Sequence, residues 1–401
     1  MADLSTKLGT LALDNPIIVS SGYVTETESA VRKADGFGPG AIVLKTSLPN
    51  EEYSQVVKPY DPHRYPSTRN KFALAEDGIM GSEGLSTFSL EIWAEWLAKN
   101  KSSFRAPLIG SVAAISVEGH VRGARMMAEA GAVAVELLLA CPAPYFRPFK
   151  YTMTSDPQVV EEICRAVREA VSIPVGVKIA PLSPVARAAR GAGVDWITTG
   201  GVLVAAPGID LESLEPVVPS AIFLSGSRVN KYTTFRLLLS LSGMSREVHL
   251  SAHGGVQDWR DAAEFILYGA SSVQAQSIFM TKGFSAIAEM KRGLEAFMDK
   301  HGFSSLADMR GAILPKLVSF DDMIAAYPET KGRIVAQVDE GLCNGCGICE
   351  DVCAWDAIKM RDGLAEVNRE LCEGCRLCVA DCPTEALSLE NTDILRKALA
   401  R

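Results

Sequence analysis

Eight of the chain's ten cysteines fall between Cys343 and Cys382, in two copies of one spacing. The first copy is Cys343-x2-Cys346-x2-Cys349-x3-Cys353, and the second is Cys372-x2-Cys375-x2-Cys378-x3-Cys382-Pro383. Three thiolates on one tight loop reach three irons of a cubane. The fourth iron lies beyond that loop, so the trailing cysteine of the other copy supplies its ligand. The spacing therefore predicts two [4Fe–4S] clusters. One is held by Cys343, Cys346, Cys349 and Cys382, the other by Cys372, Cys375, Cys378 and Cys353. Gly345, Gly347 and Gly374 let the backbone turn close to the sulfides. A pair of zinc sites is the competing reading, but zinc usually takes paired C-x2-C knuckles rather than triplets with a trailing cysteine. Ala354 stands where the second copy has Pro383, a minor departure because proline is not a ligand. A chain with this module moves single electrons.

The remaining three quarters of the chain read as repeated strand–helix units. Short apolar, β-branched runs at 16–19, 41–44, 108–110, 134–138, 175–179, 196–199, 248–251 and 272–275 are expected strands. Amphipathic stretches at 118–130, 157–171, 184–191, 233–241, 259–268 and 284–297 are expected helices. Eight strands with intervening helices predict an α/β (β/α)8 TIM barrel, followed by a small α+β domain of the bacterial-ferredoxin kind. A doubly wound sheet is the alternative, but no G-x-G-x-x-G opens a helix. The expected division is 1–300 barrel, 301–334 connector and 335–401 cluster domain. Two stretches, 47–86 and 202–230, exceed a minimal barrel and are expected to shape a pocket. Lys45, Cys141, Lys178, Thr199 and Gly254-Gly255 all fall where strands end, the face on which barrels build active sites.

Composition narrows the setting. The 401 residues are 48% hydrophobic, enough for one large domain and one small one. A net charge of −8 argues against a nucleic-acid partner. No apolar run approaches the roughly 18 residues of a membrane helix. The start, Met1-Ala2-Asp3-Leu4-Ser5-Thr6-Lys7, has no apolar stretch of a secretory signal, so the cytoplasm is expected. Thiols there stay reduced, which favours metal or catalytic roles for cysteine over disulfides. Cys164, in the middle of an expected helix, reads as core.

Several segments, in order, resemble the dihydroorotate dehydrogenase family of flavin enzymes. Asn15-Pro16-Ile17-Ile18-Val19-Ser20-Ser21-Gly22 is similar to its opening strand and flavin loop, Lys45-Thr46 to its first flavin-contacting lysine, and Gly176-Val177-Lys178 to a second lysine near flavin N1 and O2. Ser225-Gly226-Ser227, Gly254-Gly255 and Gln276-Ser277 are similar to loops whose main-chain amides bind the FMN phosphate. Glu136-Leu137-Leu138-Leu139-Ala140-Cys141-Pro142 resembles the active-site stretch in which a cysteine before proline moves the proton. The fused cluster domain, together with Phe303–Gly311, resembles the pyrimidine-reducing subunit of dihydropyrimidine dehydrogenases.

The resemblance implies an FMN- and iron–sulfur-dependent oxidoreductase. Cys141 would be proton donor or acceptor, and Lys45 and Lys178 would stabilise reduced flavin. Its polar ring-binding positions are altered, however: Leu138, Gly201 and Ala143 stand where the family has asparagine or other polar groups. A pyrimidine there would leave amide groups unpaired at about 1–3 kcal/mol each. The expected reaction is therefore reduction or formation of a C=C bond conjugated to a carbonyl, in a cyclic, non-pyrimidine substrate. His63, Arg64, Arg69, Lys71 and the loop Tyr145-Phe146-Arg147-Pro148-Phe149-Lys150 would suit an apolar ring bearing an anionic group. An electron-relay subunit without its own substrate, and a dihydropyrimidine dehydrogenase with a redesigned pocket, are the alternatives. With no dinucleotide motif, a ferredoxin or a separate FAD/NAD(P)-binding subunit is the expected electron partner, and a homo-oligomer is expected.

Overall fold

The computed structural model describes residues 2–56, 71–75, 78–82, 84–140, 150–151, 155–179, 182–199, 203–206, 208–217, 223–244, 248–330, 332–392 and 394. Eight parallel strands close into a barrel in chain order: Ile17–Val19, Ala41–Val43, Leu108–Val112, Ala134–Leu138, Val175–Lys178, Trp196–Thr199, His249–His253 and Ser272–Ala275, with the last pairing back to the first. All eight expected strands are present and the open-sheet alternative is excluded. Side chains alternate along each strand. Val135 and Leu137 point outward into the main core against the helices, while Glu136 and Leu138 take the other face.

Helix ends follow local chemistry. Ser116 caps Val117–Ala130 by accepting from Gly119 N at 2.9 Å, and Gly131, at φ +96°, ends it in the left-handed region. Asp156 caps Pro157–Ala170 with proline in its first turn. Cys164 on that helix is fully buried, and burial pushes its thiol up to about 12, in keeping with a core role.

The bottom of the barrel is closed by a hairpin the sequence reading missed, Thr6–Leu8 paired with Leu11–Leu13. Its Leu8 and Leu13 join Ile18, Ala41, Val43, Ile109, Ala134 and Trp196 in one apolar plug. Gly176 makes room for that plug. A Cβ there would lie 1.9 Å from Cε2 of Trp196, so only glycine fits opposite the indole.

Within the two long insertions, short strands build a small sheet of their own. Lys71–Ala75 and Gly78–Ser82 form a hairpin whose second strand pairs with Phe223–Ser225, which in turn pairs with Leu203–Ala205. Helices Glu28–Asp35, Asn50–Val56 and Leu90–Asn100 also escaped sequence reading. Strands and helices this short give little periodicity to read.

The chain divides into two compact units, Met1–Leu314 and Pro315–Arg401. Residues 302–314, expected as connector, join the barrel: Leu306 N donates to Asp3 O at 3.2 Å, Gly311 N to Ile266 O at 2.9 Å, and Leu306 and Met309 enter the main core. The second unit includes a helix, Phe320–Thr330, and two two-stranded sheets, Ala336–Val338 with Leu387–Leu389 and Ile358–Arg361 with Leu364–Val367. Among the described residues no helix is long and apolar enough to cross a membrane.

Candidate active site and cluster sites

At the C-terminal end of the barrel, inward-facing polar side chains replace the apolar plug. Glu136, 1% exposed, accepts through Oε2 from Trp196 Nε1 at 3.3 Å and from Thr198 Oγ1 and Gln274 Nε2. Its Oε1 lies 3.6 Å from Lys178 Nζ. That ammonium donates to Ser20 Oγ at 3.0 Å, and Ser20 Oγ donates to Gln274 Oε1 at 3.2 Å. Beside it, just past the first two strands, Ser21 Oγ accepts from Thr46 N at 2.9 Å and meets Thr46 Oγ1 at 2.8 Å, and that hydroxyl meets Ser111 Oγ of the third strand at 2.7 Å. Lys45 is buried next to them in sequence.

The late loops come together at the same end. Gln276 fills the space beside Gly22, where a Cβ would lie 2.2 Å from its Cδ. Gln257 Nε2 donates to Gly226 O at 2.9 Å and reaches Ser277 Oγ at 3.4 Å. Gly254 and Gly255 have φ of +96° and +83°, and a Cβ on Gly255 would lie 2.3 Å from Lys231 N. Ser227 is buried and caps the turn before helix Asn230–Leu241 by accepting from Val229 N at 3.2 Å. Two expected contacts are otherwise engaged. The Gly226 N–H donates to Ile79 O at 2.7 Å, and the Thr199 hydroxyl faces Ser251 O at 3.5 Å.

Sequence reading assigned no role to Glu136, Thr198, Gln274, Ser111, Gln257 or His253. The readable signal was a polar residue at an inward position of a buried strand, as in Ala134-Val135-Glu136-Leu137-Leu138. His253 ends the seventh strand. Its Nδ1 is buried and, among the described residues, meets no partner. Burial, then the Lys178 charge, holds its imidazole well below 6.5, hence neutral. An orphaned buried nitrogen, a lysine and glycines at close approach make a cup that fits a polar, anionic cofactor. Cys141, Pro142, Ala143, Tyr145–Phe149, Gly201, His63, Arg64 and Arg69 lie outside the described residues, as does the side chain of Lys71.

In the second unit, Cys343, Cys346, Cys349 and Cys382 line one void, and Cys353, Cys372, Cys375 and Cys378 line the other. Those are the two sets expected from the crossed spacing. The loops hold left-handed residues at Gly345, Gly347, Gly374 and Arg376, with φ of +74°, +79°, +65° and +72°. A Cβ on Gly345 would lie 2.5 Å from Gly363 O, and one on Gly374 2.4 Å from Ile334 O. Main-chain amides point at sulfur: Ala336 N lies 3.3 Å from Cys372 Sγ and Ala357 N 3.3 Å from Cys353 Sγ. Burial, then the neighbouring sulfurs, pushes Cys378 up to about 11. Iron bound between such sulfurs would offset that repulsion.

A closed parallel barrel with a polar, lysine-bearing cup, joined to two four-cysteine voids, defines an iron–sulfur flavoprotein oxidoreductase. Residues 3–298 match the dihydroorotate dehydrogenase family and residues 330–389 the 4Fe-4S dicluster domain, and the chain belongs to the dihydroorotate dehydrogenase family. It carries FMN and two [4Fe–4S] clusters, and it acts on CH–CH bonds. It is 30% identical to the catalytic subunit of dihydroorotate dehydrogenase B (NAD(+)) of Thermoplasma acidophilum, covering 78% of this chain and 100% of the relative. It is 27% identical to the NAD-dependent dihydropyrimidine dehydrogenase subunit PreA of Escherichia coli, over 88% of this chain and 85% of that protein.

Proposed function

We propose that the enzyme reduces or forms a C=C bond conjugated to a carbonyl in a cyclic substrate that is not a pyrimidine. One observation carries this reading. Leu138 ends the fourth strand half-buried, packed with Tyr53 and Ile115 against Leu48, Val56, Leu85 and Ala113. Where the resembling enzymes offer an amide, this chain offers an apolar wall. An amide-edged ring against it forfeits its hydrogen bonds.

FMN bound at this end of the barrel supplies hydride transfer at carbon and one-electron exchange with the clusters. The chain's own groups divide the remaining work. Ser20, Ser21, Gly22, Lys45, Thr46, Lys178 and Thr199 would border the ring. Gly226, Ser227, Gly254, Gly255, Gln276 and Ser277 would border the phosphate, and with the Gly226 amide engaged by Ile79 the neighbouring amides would have to serve it. Lys178 and Lys45 place positive charge where the reduced ring is negative. Cys141, three residues beyond the end of the fourth strand at Leu138, would hold or release the proton at the carbon next to the one that exchanges hydride. Electrons reach the clusters from a ferredoxin or a separate FAD/NAD(P)-binding subunit, in the cytoplasm.

The names of the relatives favour a second reading, a pyrimidine substrate. Stopped-flow mixing of the reduced enzyme with uracil, thymine and orotate, beside cyclic enones and enoates, separates the two. Rapid flavin reoxidation by a pyrimidine would overturn the apolar-substrate reading. Reoxidation by none, with fast transfer to a protein acceptor, favours an electron relay.

A further inference from the structure

Glu136, Lys178, Ser20 and Gln274 form a closed ring at the end of the barrel. Gln274 spans it, with Nε2 on Glu136 and Oε1 accepting from Ser20, while Lys178 links Ser20 to Glu136 at 3.0 Å and 3.6 Å. The Trp196 indole and the Gln274 amide nitrogen can only donate, so Oε2 accepts both, and Oε1 faces an ammonium. Both oxygens of Glu136 therefore face donors. Its bulk is not what fills the barrel floor, which Leu8, Leu13, Ile18, Ile109 and Trp196 already pack. Buried ion pairs are poor stability devices compared with apolar packing. His253, neutral at the same end, adds no charge.

We propose that Glu136 is a positioning residue for Lys178 and, through it, sets how readily the flavin is reduced. This rests on the reading that Lys178 faces the flavin ring. Two electrons and one proton convert oxidised flavin to its reduced anion, so the bound ring gains one negative charge. The Lys178 ammonium stabilises that charge. The Glu136 carboxylate, in the same low-dielectric interior, holds the ammonium in place and partly offsets its field. Removing the negative charge leaves more of the lysine's field to the flavin and makes reduction easier.

The test is a mediated potentiometric titration of the flavin absorbance in the full-length protein loaded with FMN and clusters. Glu136→Gln shifts the reduction equilibrium about tenfold toward reduced flavin, about 30 mV more positive for a two-electron couple. Glu136→Asp keeps the charge but draws it back by one methylene, and shifts the potential less, in the same direction. A folded, FMN-loaded Glu136→Gln with an unchanged or lower potential overturns the proposal. Where that variant does not fold, an unshifted Glu136→Asp does so. Lys178→Met separates the two levels. A lowered potential there, with neither Glu136 variant shifted, refutes the role of Glu136 alone. An unchanged potential in Lys178→Met refutes the placement of the lysine at the flavin, and the inference with it.

Discussion

Trp196 lies across Gly176 inside the barrel, so close that a methyl group on Gly176 would sit 1.9 Å from the indole. Gly176→Ala therefore displaces a fully buried tryptophan whose Nε1 also serves Glu136. Overpacking of this kind costs about 1–3 kcal/mol. The contrasting variant is Gly191→Ala, at the end of helix Ser183–Gly191, where an added Cβ meets nothing within 4 Å. It is expected to be neutral or to stabilise by up to about 1 kcal/mol. Thermal unfolding of the two FMN-loaded variants side by side should move in opposite directions, or only Gly176→Ala should move.

The cysteine sets around the two voids predict crossed damage. Cys353→Ser should impair the cluster of Cys372, Cys375 and Cys378, and Cys382→Ser that of Cys343, Cys346 and Cys349. Electron paramagnetic resonance of the reduced variants resolves which cluster changes. Loss of the cluster on the variant's own triplet contradicts the assignment.

Alkylation should discriminate between the two cysteines outside the cluster domain. Cys164 is fully buried with its thiol raised to about 12, so it stays protonated and shielded at pH 8. Mass spectrometry after iodoacetamide treatment of the holoenzyme should find Cys141 labelled and Cys164 unmodified. Cys141→Ser should slow substrate-driven flavin reoxidation by about 10²-fold or more, with FMN and both clusters retained. Wild-type rates in that variant would sink the proton-transfer role.

Acid should weaken the barrel through His120. It is fully buried on helix Val117–Ala130, and burial lowers its imidazole from 6.5 to about 4. A folded value below the unfolded one means that the unfolded chain binds the extra proton. This contribution is intact above about pH 6.5 and is lost as the pH falls toward 4, by up to about 3 kcal/mol. Melting temperatures between pH 7 and pH 5 should fall less steeply in His120→Leu than in the wild type. Equal slopes would show that His120 does not contribute.

The barrel strands were readable because parallel strands buried on both sides are short apolar runs, and all eight stand out as such. The grouping of the cysteines around the two voids was readable because each triplet is close in sequence and the motif is repeated. Glu136 was passed over within a segment read for its cysteine, although a carboxylate in a buried strand is itself a signal. The ring it joins with Gln274 is 138 residues away in sequence and has no local signature. The hairpin Thr6–Leu8 and Leu11–Leu13 escaped because three-residue strands show no periodicity, and its partner is the barrel floor rather than a neighbour in sequence.

The sheet built from the two insertions has a consequence for exchanging segments between relatives. Gly78–Ser82 comes from the connection after the second barrel strand, and Phe223–Ser225 from the connection after the sixth. They are laced together through Leu224 opposite Gly81 and Ser225 opposite Met80, right beside Gly226 and Ser227. Neither insertion can be exchanged for a relative's without supplying a matching strand in the other. The two insertions are structurally one unit, so chimaeras that swap both segments should fold where single-segment swaps leave an unpaired sheet edge.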